Sequence, residues 1–355
     1  MNHVLHPTSA PPGRQPKSSS TPPKSGSAGV DSDASGVSSF LRHEVISLPP
    51  RKRGVFERLR SIETHVRDSH RFAEFLRETH PERAAKLLSC GGWVLLREFV
   101  DDGDVKVAKA AFCQQPLWCG FCAAGRASRQ SLAIVERLNH YAAENPDQRP
   151  YMVTLTMRSR DDLDAMVREF WDAWSSMVKR RSNALAGRRT SSVLERIAGG
   201  LIAGEAKRGK GGRWHYHAHG IWFSDSIASY LPVARSLAHE WGRQVVQESA
   251  IVQFRPMRGH YGDAIREVVK YAAKWEPGVF ADRLTAAEAL HRVRRVRTFG
   301  DLHGLKLPES LADDFSDDEG RQVVEQLFTL GRDGYRLRRR RLKTLAGRSD
   351  KDVQA

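Results

Sequence analysis

R-W-H-Y-H-A-H-G-I-W-F, residues 213–223, sets three of the chain's fourteen histidines on every second position of an otherwise apolar run. Side chains of a strand alternate faces with period two. His215, His217, His219, Ile221 and Phe223 therefore share one face, and Trp214, Tyr216, Ala218, Gly220 and Trp222 take the other. Imidazole is the commonest metal ligand in proteins, and two of them on one strand face can grip a single divalent ion. H-x-H alone also fits a half-buried strand whose histidines only hydrogen-bond. The surrounding sequence has to decide.

Working outward, G-G-L-I-A-G-E-A (199–206) reads as the preceding strand and K-R-G-K-G-G (207–212) as a flexible turn, so the histidine strand closes a hairpin. A turn centred near Gly211 puts Glu205 opposite His217, and opposed residues on one face lie ~5 Å apart. Glu205, His217 and His219 then form a two-histidine, one-carboxylate set with room for water and substrate oxygens, a donor mix suited to Mn, Fe(II), Zn or Mg. His215 lies one step nearer the turn and is held as an outer-shell candidate. The same donor set serves oxygen chemistry on Fe(II), so an oxygenase is the rival reading. Such an enzyme needs no tyrosine nucleophile and gains little from a basic chain.

The chain is strongly basic. Lys and Arg total 57 against 42 Asp and Glu, a formal charge of +15 over 355 residues. That excess favours a polyanionic partner, most often nucleic acid. No apolar run approaches the ~20 residues of a membrane span and no signal-like segment opens the chain, so a soluble intracellular protein with no membrane partner is expected. The length suits one large or two ordinary domains.

Residues 1–48 are rich in Ser, Pro and Gly and are expected to be a disordered arm. A charged helical pattern from Gly54 to Leu88 and all four cysteines fall in a second region, 49–149, closed by an amphipathic helix over about 126–143. Residues 150–285 form the catalytic region: a strand at 151–157, a helix at 161–181, the hairpin, a helix at 227–246, a strand at 250–257 and a helix at 263–275. The order β-α-β-β-α-β predicts an α+β fold, a ferredoxin-like antiparallel sheet backed by helices. Residues 286–355 form a C-terminal region with a basic run, G-Y-R-L-R-R-R-R-L-K (334–343). Arg338, Arg339, Arg340 and Arg341 are its DNA-binding candidates, read either as a phosphate-binding arm or as a solvated tail.

The last helix of the catalytic region, A-I-R-E-V-V-K-Y-A-A-K-W (264–275), places Glu267, Lys270, Tyr271 and Lys274 at i, i+3, i+4 and i+7. A tyrosine so placed can attack a phosphodiester and form a covalent phosphotyrosine. Its pKa of ~10 calls for help at neutral pH, which Lys270 and Lys274 offer by stabilising phenolate and developing phosphorane charge. Glu267 is suited to act as general base on water or a hydroxyl.

Taken together these motifs resemble the HUH endonucleases, and within them the single-tyrosine rolling-circle plasmid replication initiators. T-L-T (154–156), G-x5-E ending at Glu205, H-A-H-G (217–220) and E-V-V-K-Y-A-A-K (267–274) follow in order. A-F-C-Q-Q-P-L-W-C-G-F-C-A-A-G-R (111–126) is similar to that family's cysteine segment, and R-T-F-G-D-L-H-G (297–304) to an element that follows its tyrosine helix. The match spans about 88–305. It implies site-specific nicking of one strand in an exposed hairpin at a plasmid's double-strand origin. Tyr271 is the implied nucleophile, Glu267 activates water at termination, and His217, His219 and Glu205 hold Mg²⁺ or Mn²⁺. It also implies a prokaryotic cytoplasmic setting with a host polymerase; a host helicase is expected because no P-loop is present. The family usually has Asn-Pro before its H-x-H, where this chain has His215 and Tyr216. His215 and His217 are thus a second H-x-H pair, though the opposed Glu205 and the following Gly-Ile favour 217/219. A relaxase or rolling-circle transposase would use the same chemistry, and a zinc-containing DNA-binding regulator is the non-enzymatic alternative.

Cys113, Cys119 and Cys122 have C-x5-C-x2-C spacing, with Cys90 upstream. C-x2-C lets two thiolates meet one tetrahedral ion, and four cysteines within 33 residues predict a structural zinc site with four thiolate ligands.

Overall fold

The computed structural model describes residues 54–188, 190–209, 211–225, 230–246, 251–257, 279–304, 313–314 and 316–346. The N-terminal arm and the tyrosine helix, with Glu267, Lys270, Tyr271 and Lys274, lie outside the described residues. The elements run α1 (Val55–Leu76), α2 (Pro81–Ser89), β1 (Trp93–Phe99), β2 (Val105–Ala110), α3 (Gly120–Glu144), β3 (Gln148–Thr156), α4 (Leu163–Leu185), β4 (Gly199–Arg208) and β5 (Trp214–Asp225). They continue with α5 (Leu231–Gln244), β6 (Val252–Pro256), α6 (Phe280–Ala289), β7 (Val296–Gly300), β8 (Gln322–Gly331) and β9 (Gly334–Thr344). This is a mixed α+β architecture with two antiparallel sheets, ordered β6-β3-β5-β4-β7 and β2-β1-β8-β9. Among the described residues no helix is long and apolar enough to cross a membrane.

The five-stranded sheet is built on the histidine strand, and its two faces differ as the alternation of β5 demands. Trp214, Tyr216, Ala218 and Trp222 enter one core with Phe170, Trp171 and Trp174 of α4 and Trp241 of α5. Tyr216, Trp222 and Trp241 are fully buried, each contributing roughly 1.5–3 kcal/mol by burial. The layer is tight at Gly204, where an added Cβ would fall 2.2 Å from the Tyr216 hydroxyl. On the opposite face Ile221 and Phe223 pack beneath Ile134, Val135, Leu138 and Tyr141 of α3. That helix covers only the C-terminal half of β5. His215, His217 and His219, in the other half, stay partly exposed.

Local signals start and stop these elements. The Asp162 side chain accepts a hydrogen bond from the Ala165 amide and caps α4. The turn after β4 closes with Gly209 donating to Arg213 and with Gly212 at φ 73°.

The second sheet departs from the sequence reading. Residues 93–110, within a stretch taken as helical and cysteine-bearing, form the hairpin β1–β2, and the basic run 334–343 is strand β9 of a second hairpin. β1 pairs with β8 from Trp93↔Thr329 to Phe99↔Val323. The regions delimited as 49–149 and 286–355 therefore share one sheet. α1 and α2 cover one of its faces through Val66, Phe72, Leu76 and Leu87 against Val94, Leu96, Val107 and Phe328. The basic run is a strand because β8 gives its backbone a ladder, which a window of local composition does not reveal. Residues 296–300 likewise add β7 to the edge of β4, with Val296 opposite Ala203.

Candidate metal centres

The hairpin brings the three donors together in the expected register. Glu205 pairs with His217 across β4–β5. His217 Nε2 lies 2.9 Å from Glu205 Oε2, and His219 Nε2 lies 3.8 Å from the same oxygen. One donor atom from each of the three falls within 4.8 Å of the others, a cluster able to hold a metal ion. Glu205 is buried at 8 % exposure. A carboxylate so placed must be compensated, and its ion-pairing neighbours among the described residues are imidazoles, not arginines or lysines.

Two further contacts shape the site. Thr154 faces His219 across β3–β5, and its hydroxyl sits 3.1 Å from His219 Nδ1. That contact fixes the ring and turns its Nε2 toward Glu205, the usual role of a residue behind a metal ligand. His217 Nδ1 is buried with no hydrogen-bond partner among the described residues, an unmet demand of the kind found where a ligand belongs. The three clustered donors fit a divalent cation. T-L-T entered the sequence reading as a motif, with no role for Thr154; cross-strand register supplies the role.

His215 stands one step away, its ring centroid 5.0 Å from that of His217 and its Nδ1 3.3 Å from Ser159 Oγ. Burial, and then the neighbouring His217, hold it below the ordinary histidine range, so it stays neutral near pH 7. It is not one of the clustered donors.

The four cysteines converge from three elements. Cys90 ends α2, Cys113 follows β2, Cys119 caps α3 and Cys122 lies in its first turn. The sulfurs of Cys90 and Cys122 are 3.6 Å apart, those of Cys113 and Cys122 3.6 Å, and those of Cys119 and Cys90 3.5 Å. Four thiolates at ~2.3 Å around a tetrahedral zinc would stand about 3.8 Å apart. A disulfide would need about 2.05 Å, and all four are free thiols. The spacing fits a single metal such as zinc.

The helix terminus contributes as well. The Cys122 amide donates to Cys119 Sγ, the arrangement by which a helix N-terminus stabilises a thiolate. Hydrogen bonds from Cys113, then from Cys122 and Cys90, hold the Cys119 thiol far below its ordinary range. Cys90 is pushed far up, first by its hydrogen bond with Cys113. Gly91 makes the approach of Cys90 feasible: its φ is +73°, and a Cβ there would fall 2.3 Å from Val66.

Of the DNA-binding candidates, Arg339 and Arg341 oppose Leu327 and Glu325 of β8, Arg340 opposes Gln326, and Arg338 sits at a bulge in β9. Comparison with family models, curated proteins and solved structures finds no match to this chain.

Proposed function

We propose that this chain is a metal-dependent DNA nicking and joining enzyme of the single-tyrosine HUH kind, acting as a plasmid rolling-circle replication initiator. The Glu205–His217–His219 cluster on facing strands carries the reading. Strand order supports it. With β3, β4, β5 and β6 counted first to fourth, the sheet runs fourth–first–third–second, consistent with a ferredoxin-like βαββαβ domain extended by β7.

Glu205, His217 and His219 would hold Mg²⁺ or Mn²⁺, which when bound supplies positive charge to a phosphodiester oxygen. The Tyr271 oxygen attacks phosphorus, the bond to the 3′-oxygen breaks, and a 5′-phosphotyrosine forms with release of a 3′-hydroxyl. The phenolic proton passes to solvent water as attack proceeds, the departing 3′-oxygen takes up a proton from water, and Lys270 and Lys274 stabilise the phenolate and the phosphorane. Glu267 takes a proton from water or from a returning hydroxyl when the covalent bond is resolved. Thr154 keeps His219 oriented. The four-cysteine cluster, three of its members buried, braces the start of α3 around zinc and takes no part in the chemistry. The expected DNA is single-stranded and hairpin DNA at a plasmid origin, with host helicase and polymerase as partners. A relaxase or transposase would use the same residues on another site.

The test is incubation of the protein with end-labelled single strands tiled across an origin, with Mn²⁺, Mg²⁺ or EDTA, followed by a denaturing protein gel. A metal-dependent covalent adduct is expected, and it should vanish in Tyr271→Phe while DNA binding persists. Tight binding with no adduct on any strand would sink the enzyme reading and favour the zinc-containing regulator.

A further inference from the structure

The four-stranded sheet has a second face that, among the described residues, the helices do not cover. Cross-strand register assigns to it Lys106 and Lys109 of β2, Trp93, Leu95 and Arg97 of β1, Glu325, Leu327 and Thr329 of β8, and Arg339, Arg341 and Lys343 of β9. The bulge at Arg338 adds one more cation, because its Nε donates to Thr329 Oγ1 on this face. Arg340 falls on the other side.

Charge on this face is one-sided. Glu325, 2 % exposed, accepts from Arg97 Nε and Nη2 at 3.0 and 2.9 Å and from Arg341 Nε at 2.6 Å, with Lys343 Nζ 3.9 Å away. Three cations thus converge on this carboxylate. Lys109 and Arg339 are exposed and have no ion pair among the described residues. Cations are matched at the two ends: Asp318 holds Lys106 and Arg321, with Asp101 and Asp102 also on Arg321, and at the other end Arg336, opposite Thr329, pairs with Asp333.

We infer that this face is a docking surface for the phosphate backbone of duplex DNA, separate from the metal cluster of the other sheet. The carboxylate of Glu325 fixes two guanidinium forks in place, leaving net positive charge that phosphates would complement. β9 has 11 residues, so it extends about 35 Å, close to one turn of B-DNA at about 34–36 Å. Single-strand surfaces stack successive bases on aromatic rings. Here Trp93, 39 % exposed, is the one open aromatic side chain among the described residues of the face, and the guanidinium of Arg321 covers Phe99 at 3.9 Å. Phosphate contact without stacking suits a duplex. The inference uses no residue of the nicking chemistry, so the adduct assay and the assay below can fail independently.

The experiment is a fluorescence-anisotropy titration of the full chain with a labelled mixed-sequence duplex, and with one of its single strands, over a series of salt concentrations. Lys109→Ser with Arg339→Ser is compared with Arg60→Ser and Lys86→Ser, two exposed cations on the helical side of the sheet. The face variant should bind duplex on the order of tenfold more weakly, with a log–log salt slope shallower by about two. The helical-side variant, with the same net charge, should bind like wild type. Equal losses in both, or none in either, would overturn the inference, and so would a loss confined to the single strand. A second readout needs no variant. Duplex DNA should slow acetylation of Lys109 and Lys343 but not of Lys86 in the wild-type protein, as read by mass spectrometry. Duplex bound without that protection would also overturn the inference and leave an acidic protein as the occupant.

Discussion

Each sheet carries a buried glutamate, and the two are surrounded in opposite ways. Glu205 pairs with imidazoles and, among the described residues, with no arginine or lysine; Glu325 is gripped by Arg97 and Arg341, with Lys343 beside them. The first site is short of a cation and the second has cations to spare. A buried carboxylate whose ion-pairing neighbours are imidazoles offers a donor set to a metal ion, whereas one that serves as a hub for arginines holds positive charge out toward an anion. The same residue type thus points to ligands of opposite sign.

The comparison breaks most visibly at Glu205. Glu205→Gln or His219→Ala should lower metal-dependent adduct formation on the order of a thousandfold, about 4 kcal/mol in the barrier. The melting temperature without metal should hardly change, because no compensating cation is left stranded. A variant that keeps full adduct yield would remove the metal from the proposed reaction. Glu325→Gln should behave in the reverse sense. It removes the buried carboxylate that Arg97 and Arg341 grip and should cost about 3 kcal/mol of stability in urea unfolding, with adduct formation per folded molecule unchanged. Thr154→Val sharpens the first site without touching a donor. Mn²⁺ should bind about ten- to a hundredfold more weakly as measured by calorimetry, and wild-type affinity in this variant would make the Thr154–His219 contact incidental.

The smallest effect is one of pH. Burial works against ionisation of Glu325, but hydrogen bonds from Arg341 and then Arg97 outweigh it and hold the carboxyl below the ordinary range. A depressed carboxyl contributes stability that is complete above the unfolded value of about 4.3 and is lost as pH falls through the folded one. Urea midpoints of the wild type should therefore drop in that acid window, and those of Glu325→Gln should drop less.

The first of these two centres was readable in the sequence and the second was not, for a physical reason. Glu205, His217 and His219 lie within 15 residues on one hairpin, so period-two alternation and a turn position suffice to bring them together. The two histidines sit on one strand and need only its pleat. Thr154 is harder, since its role depends on β3 lying beside β5, a pairing that spans α4 and β4. Arg97 and Glu325 are 228 residues apart, and nothing in W-V-L-L-R-E-F or in R-L-R-R-R-R-L-K names its partner strand. The cysteines fall between these cases. The C-x2-C spacing predicts that Cys119 and Cys122 meet one ion, though not that they stand at the start of α3, which begins ahead of the expected helix over about 126–143; Cys90 joins them because Gly91 lets the chain turn back toward α3.

The pairing of β1 with β8 also sets a timetable. At about 5–20 residues per second on the ribosome, Glu325 follows Arg97 by roughly 10–45 s. Throughout that wait β1 has β2 on one side and an open row of amides and carbonyls on the other, the kind of edge that invites foreign strands. A chain interrupted before β8 would carry that edge permanently. The cell's pool of this protein should therefore consist of completed molecules, with fragments ending inside 100–320 cleared or aggregated.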